Sequence, residues 1–244
     1  MMFASKGFVR SSVQSATGIK SELLAFTPKS LSEEGLKEVA NEISVIFGKA
    51  FFNTDNSSRC WPVEKVLVRI KEISFGYLVE NEAGSERIGY AIFENAGCSA
   101  GNILFIDSIG FTRQGLGLGR TLVQQAVETT QSRIIAGRTQ NPNLIKMLRG
   151  LKPKSILPID DDYSTGINRE ILQSLKTQTA ELRNANIEEK TGICKCIYRE
   201  GRLGTYPIDD ADSAVAKIQS RFREIGMDQD NGDALIVAAK LDFI

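Results

Sequence analysis

The sequence predicts a mixed, three-layer α/β fold, and three observations predict it. Apolar content of 42% and charged content of 25% over 244 residues are those of an ordinary globular chain able to bury a full core. Apolar residues recur at helical spacing in some stretches and in short β-like runs in others. Three of those runs, Phe75 to Glu80, Arg87 to Glu94 and Asn102 to Phe111, follow one another with no helix between them. A doubly wound sheet would alternate strand and helix throughout, so a mixed sheet with helices on its faces is expected instead.

The first 20 residues read as a tail. Lys6, Arg10 and Lys20 occur there without an acid, and Ser and Thr are frequent. This composition resembles that of an organellar transit peptide. A solvated, partly ordered tail is the reading adopted.

Ser21 to Phe26 is a short apolar strand ended by Thr27-Pro28. Ser30-x-x-Glu33 has the pattern of a capping box and opens a helix with Leu31, Leu36, Val39, Ile43, Ile46 and Phe47 on one side. A polar loop, Asn53 to Arg59, separates it from a second helix starting at Pro62 and carrying Val63, Val66, Leu67 and Ile70. Asn81 to Ser85 supplies hairpin turn chemistry between the first two of the three strands. The third strand runs into a glycine-rich loop, followed by a helix through Leu122, Val123, Ala126 and Val127. Arg133 to Arg138 is a strand and Asn143 to Arg149 a short helix. Beyond Pro153 and Pro158 the pattern weakens. A helix is expected from about Ile167 to Leu182, a strand over Ile193 to Tyr198, a helix through Val215, Ile218, Phe222 and Ile225, and a closing strand over Ala234 to Phe243.

Composition excludes several chemistries. The chain has no histidine, which removes Ser-His-Asp and Cys-His catalysis, HExxH zinc sites and imidazole proton transfer. Acid-base work would fall to carboxylates, Tyr, Lys, Cys, water or the backbone. The four cysteines, Cys60, Cys98, Cys194 and Cys196, match no zinc spacing, and no metal is expected. Cys194 and Cys196 are read as small core residues sharing a strand face, with a redox pair as the alternative. A reducing, cytoplasmic setting is expected. Thirty basic and thirty acidic residues cancel, and no run of roughly 18 apolar residues is present to span a bilayer.

The informative segment is Arg113-Gln114-Gly115-Leu116-Gly117-Leu118-Gly119-Arg120-Thr121. Glycines between a strand and a helix let backbone N–H groups approach a ligand, and a helix N-terminus adds partial positive charge. A phosphate or diphosphate suits such a nest; a tight turn without ligand is the alternative. The P-loop pattern fails, because Gln114 stands where its first glycine belongs and Arg120 replaces its lysine. The dinucleotide fingerprint fails as well, from Gly115 at Arg120 and from Gly117 at Leu122. Between Ser108 and Lys154 lie eight basic residues, Arg113, Arg120, Arg133, Arg138, Lys146, Arg149, Lys152 and Lys154, and one acid, Glu128. This local excess fits an anionic ligand; a solvated basic face and a nucleic-acid patch stay open beside it.

The spacing Gln114-x-x-Gly117-x-Gly119 resembles the Q/R-x-x-G-x-G/A acyl-CoA diphosphate loop of the GNAT superfamily of N-acetyltransferases. The strand before it, the helix after it, the next strand and Asn141-Pro142-Asn143 fit the same resemblance, which covers roughly residues 21–151. It implies a GNAT-like fold in one acyltransferase domain, 21–244, with a core at 21–155, an elaboration at 156–233 and a closing strand at 234–243. No family motif is matched across residues 152–233.

The resemblance also implies acetyl-CoA as co-substrate and direct attack by a primary amine. Cofactor contacts are implied at Ile109, Gly110, Phe111, Gln114, Gly115, Gly117, Leu118, Gly119, Arg120 and Asn141, with the amide of Ile109 facing the thioester carbonyl. For Asn141 a helix-capping role is the alternative. Asp107, two residues before Ile109, is the candidate base, with a structural carboxylate as the alternative. The family's leaving-group Tyr is absent: Leu148 and Gly150 occupy the positions where counting from Asn141 and Asn143 would place it. Tyr198 and Tyr206 are the substitutes the tail offers, though packing roles are expected of both. Asp160 to Asp162, Asp209, Asp210 and Asp212 could attract a cationic polyamine, a lysine side chain or an aminoglycoside, with solvated loops as the ordinary reading. A homodimer is one expected assembly. Two other functions stay open: an acyl-CoA-binding module without turnover, and an RNA-associated protein using the basic segment, nucleic acid being the less expected partner.

Overall fold

The computed structural model describes residues 7–52, 61–113, 115–160, 169–198 and 212–242. These fall into two compact units, Met1–Glu94 with Ser108–Val123, and Asn95–Asp107 with Gln124–Ile244.

The first unit begins with strand β1 (Phe8–Gln14), inside the expected tail, which pairs antiparallel along its whole length with β2 (Lys20–Phe26). Its sequence gives no apolar alternation, because five of its seven residues are exposed. A 3-10 turn, Pro28–Ser30, precedes α1 (Glu33–Phe52). The expected capping residue shifts by two positions. Ser30 closes the 3-10 turn by donating to Thr27 O at 2.8 Å, and Ser32 Oγ accepts from Gly35 N at 3.1 Å at the start of α1. Pro62 leads α2 (Val63–Glu72), as its position suggests. Then come β3 (Phe75–Asn81), β4 (Arg87–Cys98) and β5 (Gly101–Phe111), of which this unit holds the stretches up to Glu94 and from Ser108. β2, β3 and β4 pair antiparallel, and Thr112 N bonds Ile88 O at 2.9 Å where β5 leaves β4. One sheet face, with Leu24, Phe26, Leu78, Tyr90 and Ile92, is covered by Val39, Ile43 and Ile46 of α1 and Val66 and Ile70 of α2. The first turns of α3 (Leu118–Thr130) complete the unit.

The second unit has a sheet of mixed direction with helices on both faces. The first part of β5 pairs parallel with β6 (Ile134–Thr139). After α4 (Pro142–Arg149) and the short β7 (Ser155–Leu157) come α5 (Arg169–Gln178), β8 (Ile187–Glu188), β9 (Ile193–Cys194), α6 (Ser213–Glu224) and β10 (Ala234–Lys240). β10 lies antiparallel to β6 on one edge and to β7 and β9 on the other. The closing strand therefore joins the sheet as expected, and all of its residues but the last are buried, which is why it reads as a continuous apolar run. Ile103, Phe105, Ile134, Ala136, Ile236 and Ala238 face Ile171, Leu172 and Leu175 of α5. Gly137 points the other way, where Leu144 of α4 lies 3.4 Å from the position a Cβ would take.

Three expectations in this unit change. The strand foreseen over Ile193 to Tyr198 ends at Cys194. Cys196 takes a left-handed φ of 49° and is exposed while Cys194 is buried, so the two do not share a core face. Burial pushes the Cys194 thiol up to about 12, which keeps it protonated and unreactive at neutral pH. The helix expected from about Ile167 begins among the described residues at Arg169 and ends at Gln178. Ile167, Phe243, Cys60 and the loop Asn53 to Arg59 lie outside the described residues.

Candidate functional site

Asp107 is half-buried near the middle of β5, and Ser108, half-buried as well, puts its Oγ 2.7 Å from the hydroxyl of Tyr90 on β4. Sequence pattern could not find this polar pair, since Tyr90 sits among the apolar residues Ile88, Ala91, Ile92 and Phe93 of its strand. Ile109 follows, half-buried in extended backbone. Gly110 is fixed by crowding: a Cβ there would meet the Tyr90 ring at 2.9 Å and Phe51 and Ala50 of α1 at 3.3 and 3.4 Å. Phe111 in turn lies across Gly89, where a Cβ would come within 2.5 Å of its ring. Both residues named as cofactor contacts thus have a packing role first.

The loop departs from β5 with Gly115 at φ 79° and Gly117 at φ 72°, conformations that L side chains rarely adopt, while Leu116 between them has an ordinary φ. Alternation of this kind turns successive N–H groups toward one side, as in an anion-binding nest. A Cβ at Gly115 would meet nothing within 4 Å. Leu118 is buried at the start of α3, and Gly119 is helical. Gln114, the first residue of the motif, lies outside the described residues.

The charges of α3 are placed against its dipole. Its first turn holds no acid and contains Arg120, and its last turn holds no base. An isolated helix prefers the opposite arrangement, and a cation at the N-terminus is compensated when an anion binds there.

The broader basic excess is largely neutralised. Acids remote in sequence pair with Arg113 (Glu86, 3.9 Å), Arg138 (Glu181), Lys146 (Asp212), Arg149 (Asp160, 2.7 Å) and Lys154 (Asp242, 2.7 Å). Five of the eight cations therefore have acidic partners. These acids could not be matched to their partners by counting along the chain.

Asn141 is the N-cap of α4: its Oδ1 accepts from Asn143 N at 2.9 Å, with Pro142 at the first helical position. Two of the acids considered for amine attraction are structural. Asp160 bonds Ile156 N at 2.8 Å besides Arg149. Asp212 caps α6 through Ala214 N and Val215 N, and its carboxyl is held below the usual range, first by Lys146 and then by those amides. Asp161, Asp162, Asp209 and Asp210 lie outside the described residues.

Tyr198 stacks against the Arg138 guanidinium, 5.2 Å from ring centroid to Cζ. Burial disfavours the Arg138 charge, yet Tyr198 and Glu181 outweigh it and keep the group protonated. Tyr206 lies outside the described residues. Leu148 is a buried α4 residue and Gly150 its C-cap, so neither position offers a proton donor in place of the missing Tyr.

No family model matches the chain, and no curated protein matches it. Solved structures give partial likenesses. The chain is similar to the GNAT family N-acetyltransferase YhbS from Escherichia coli, solved with CoA, at 12% identity over 60% of this chain and 69% of that one, with a TM-score of 0.33. It is similar to a polyamine N-acetyltransferase from Drosophila melanogaster at 6% identity over 59% and 90% of the two chains, TM-score 0.39. A third likeness is to the spermidine/spermine N-acetyltransferase SpeG from Vibrio cholerae, at 14% identity over 58% and 86%, TM-score 0.35. No helix among the described residues is long and apolar enough to cross a membrane.

Proposed function

We propose that this chain is a GNAT-like acyltransferase that takes acetyl-CoA and passes the acetyl group to a primary amine. The observation that carries the reading is the loop Gly115–Arg120: Gly115 and Gly117 are left-handed, Gly117 is the first glycine of the Gln114-x-x-Gly117-x-Gly119 frame, and the loop opens a helix whose first turn is cationic and acid-free. That arrangement suits the diphosphate of coenzyme A.

In this reading the acyl arm runs along the last residues of β5, where the Ile109 amide stabilises the thioester oxygen as it becomes an oxyanion. A neutral amine attacks the thioester carbon, the C–S bond breaks, and the proton lost by the amine goes to Asp107. The coenzyme A thiolate leaves without an assigned donor; as a fair leaving group it tolerates that. Leu118, Gly119 and Arg120 hold the phosphates, and Gln114 belongs with them by its place in the motif. Gly110 and Phe111 shape the strand, and Asn141 sets the start of α4.

Incubation with acetyl-CoA and a panel of polyamines and lysine peptides tests turnover directly. The reading requires thiol release matched by acetylated amine in at least one case. A second reading, an acyl-CoA-binding module without turnover, is favoured by Leu148 and Gly150 where relatives place the Tyr. Single-turnover measurement separates the two: tight binding with no acetyl transfer to any amine would select the module.

A further inference from the structure

The turn between β1 and β2 touches the glycine loop. Thr17 Oγ1 lies 2.8 Å from Leu116 O, Ser15 Oγ lies 2.8 Å from Thr17 Oγ1, and Ile19 N bonds Ser15 Oγ at 3.1 Å. The proton order in this chain is determined. Leu116 O can only accept, so the one Thr17 hydroxyl proton goes to it. Ser15 must then donate to Thr17, which leaves the Ser15 oxygen to accept from Ile19 N. The turn is further braced by Ser15 N to Ile19 O and Gly18 N to Ser15 O, each 2.9 Å, with Gly18 at φ 84°. Around Gly117, the atoms a Cβ would meet belong to Ser15, Ala16 and Thr17, at 3.7 to 3.9 Å.

The consequence for the loop follows from peptide geometry. In a planar trans peptide the carbonyl and the N–H point in opposite directions. Holding Leu116 O against Thr17 therefore turns the Gly117 N–H away from the β1–β2 turn. Without that latch, a loop with two glycines could rotate the same peptide at little steric cost.

We propose that Thr17 is a positioning residue for the diphosphate site, holding the Leu116–Gly117 peptide with its N–H toward the bound anion. The proposal rests on the acyl-CoA reading of the loop. It gives the segment before Lys20 a function: the β1–β2 hairpin braces the loop.

Calorimetric titration of CoA into wild type, Thr17→Val and Thr17→Ser tests it, with inorganic diphosphate as competitor and the melting temperature of each variant as control. Thr17→Val keeps the shape and removes the proton. It should weaken CoA about fivefold, the factor that losing one ordinary hydrogen bond implies. The affinity for diphosphate should fall by the same factor, and Thr17→Ser should restore both. Unchanged CoA affinity in Thr17→Val overturns the proposal while the CoA reading stands. A loss for CoA but not for diphosphate, or one that Ser does not rescue, overturns it too. Failure of wild type to bind CoA removes the reading beneath it. If Thr17→Val melts well below wild type, Thr17→Ala and Thr17→Ser compared at equal folded fraction decide by the same criteria.

Discussion

The hydroxyl of Tyr90 lies 2.7 Å from Oγ of Ser108, tying β4 to β5 one residue before Ile109. Tyr90 is fully buried against α1 and α2, so its oxygen needs a partner inside the protein, and Ser108 is one. Tyr90→Phe should cost about 1 kcal/mol of stability. Urea denaturation of the two proteins measures it, and equal midpoints would show that the bond contributes nothing.

Gly110 and Gly115 need glycine for different reasons, and alanine separates them. At Gly110 the new methyl would press on the Tyr90 ring at 2.9 Å, so Gly110→Ala should destabilise by about 1–3 kcal/mol through overpacking. At Gly115 there is space, and the cost is the left-handed backbone alone, roughly 1–2 kcal/mol. Gly110→Ala should accordingly perturb the near-ultraviolet spectrum of the aromatic cluster, whereas Gly115→Ala should leave it unchanged.

Asp233 gives a pH-dependent stability. Burial opposes its ionisation and is the largest single influence, but Lys195 Nζ at 2.8 Å and the amides of Cys196 and Asp228 outweigh it and hold the carboxyl below its ordinary value. A folded pKa below the unfolded one stabilises above the unfolded value, and the contribution disappears as pH falls through the folded value. Stability of the wild type should thus fall on the acid side of about pH 4, and Asp233→Asn should show a shallower fall. Denaturation at about pH 6 and about pH 3 gives the two slopes; parallel slopes would remove Asp233 from the account.

Asp107→Asn keeps the size of the proposed base and removes its basicity. Acetyl transfer should fall about a hundredfold or more with acetyl-CoA affinity unchanged. A variant as active as wild type would return Asp107 to a structural role.

Much of the fold could be read from periodicity because the elements concerned bury one face or both. Val39, Ile43 and Ile46 mark α1, and the run Ala234 to Ala239 marks β10. β1 escaped because edge residues such as Val9, Arg10 and Ser12 carry no alternation. β7, β8 and β9 have two or three residues each, too few for a period. The loop was legible through the spacing Gln114-x-x-Gly117-x-Gly119, and Gly115 and Gly117 take left-handed φ values within it. Its electrostatic setting was not. Arg138, Lys146 and Arg149 looked like a shared positive field until their partners Glu181, Asp212 and Asp160 came together through the fold. The brace from Thr17 to Leu116 joins residues far apart in the chain and leaves no local signature.

The acyl-CoA site is tested most directly by titrating acetyl-CoA into wild type and Arg120→Glu. Gly117→Glu is less clean, because any side chain at φ 72° adds strain beside Ser15 and Thr17. Arg120→Glu puts an acid in the first turn of α3, which the helix dipole favours, so the fold should be as stable as before or slightly more so. Binding should respond in the opposite sense: micromolar affinity in wild type and at least a tenfold loss in the variant. Absence of binding in wild type, or equal affinity in a folded Arg120→Glu, would contradict the placement of the diphosphate at the start of α3.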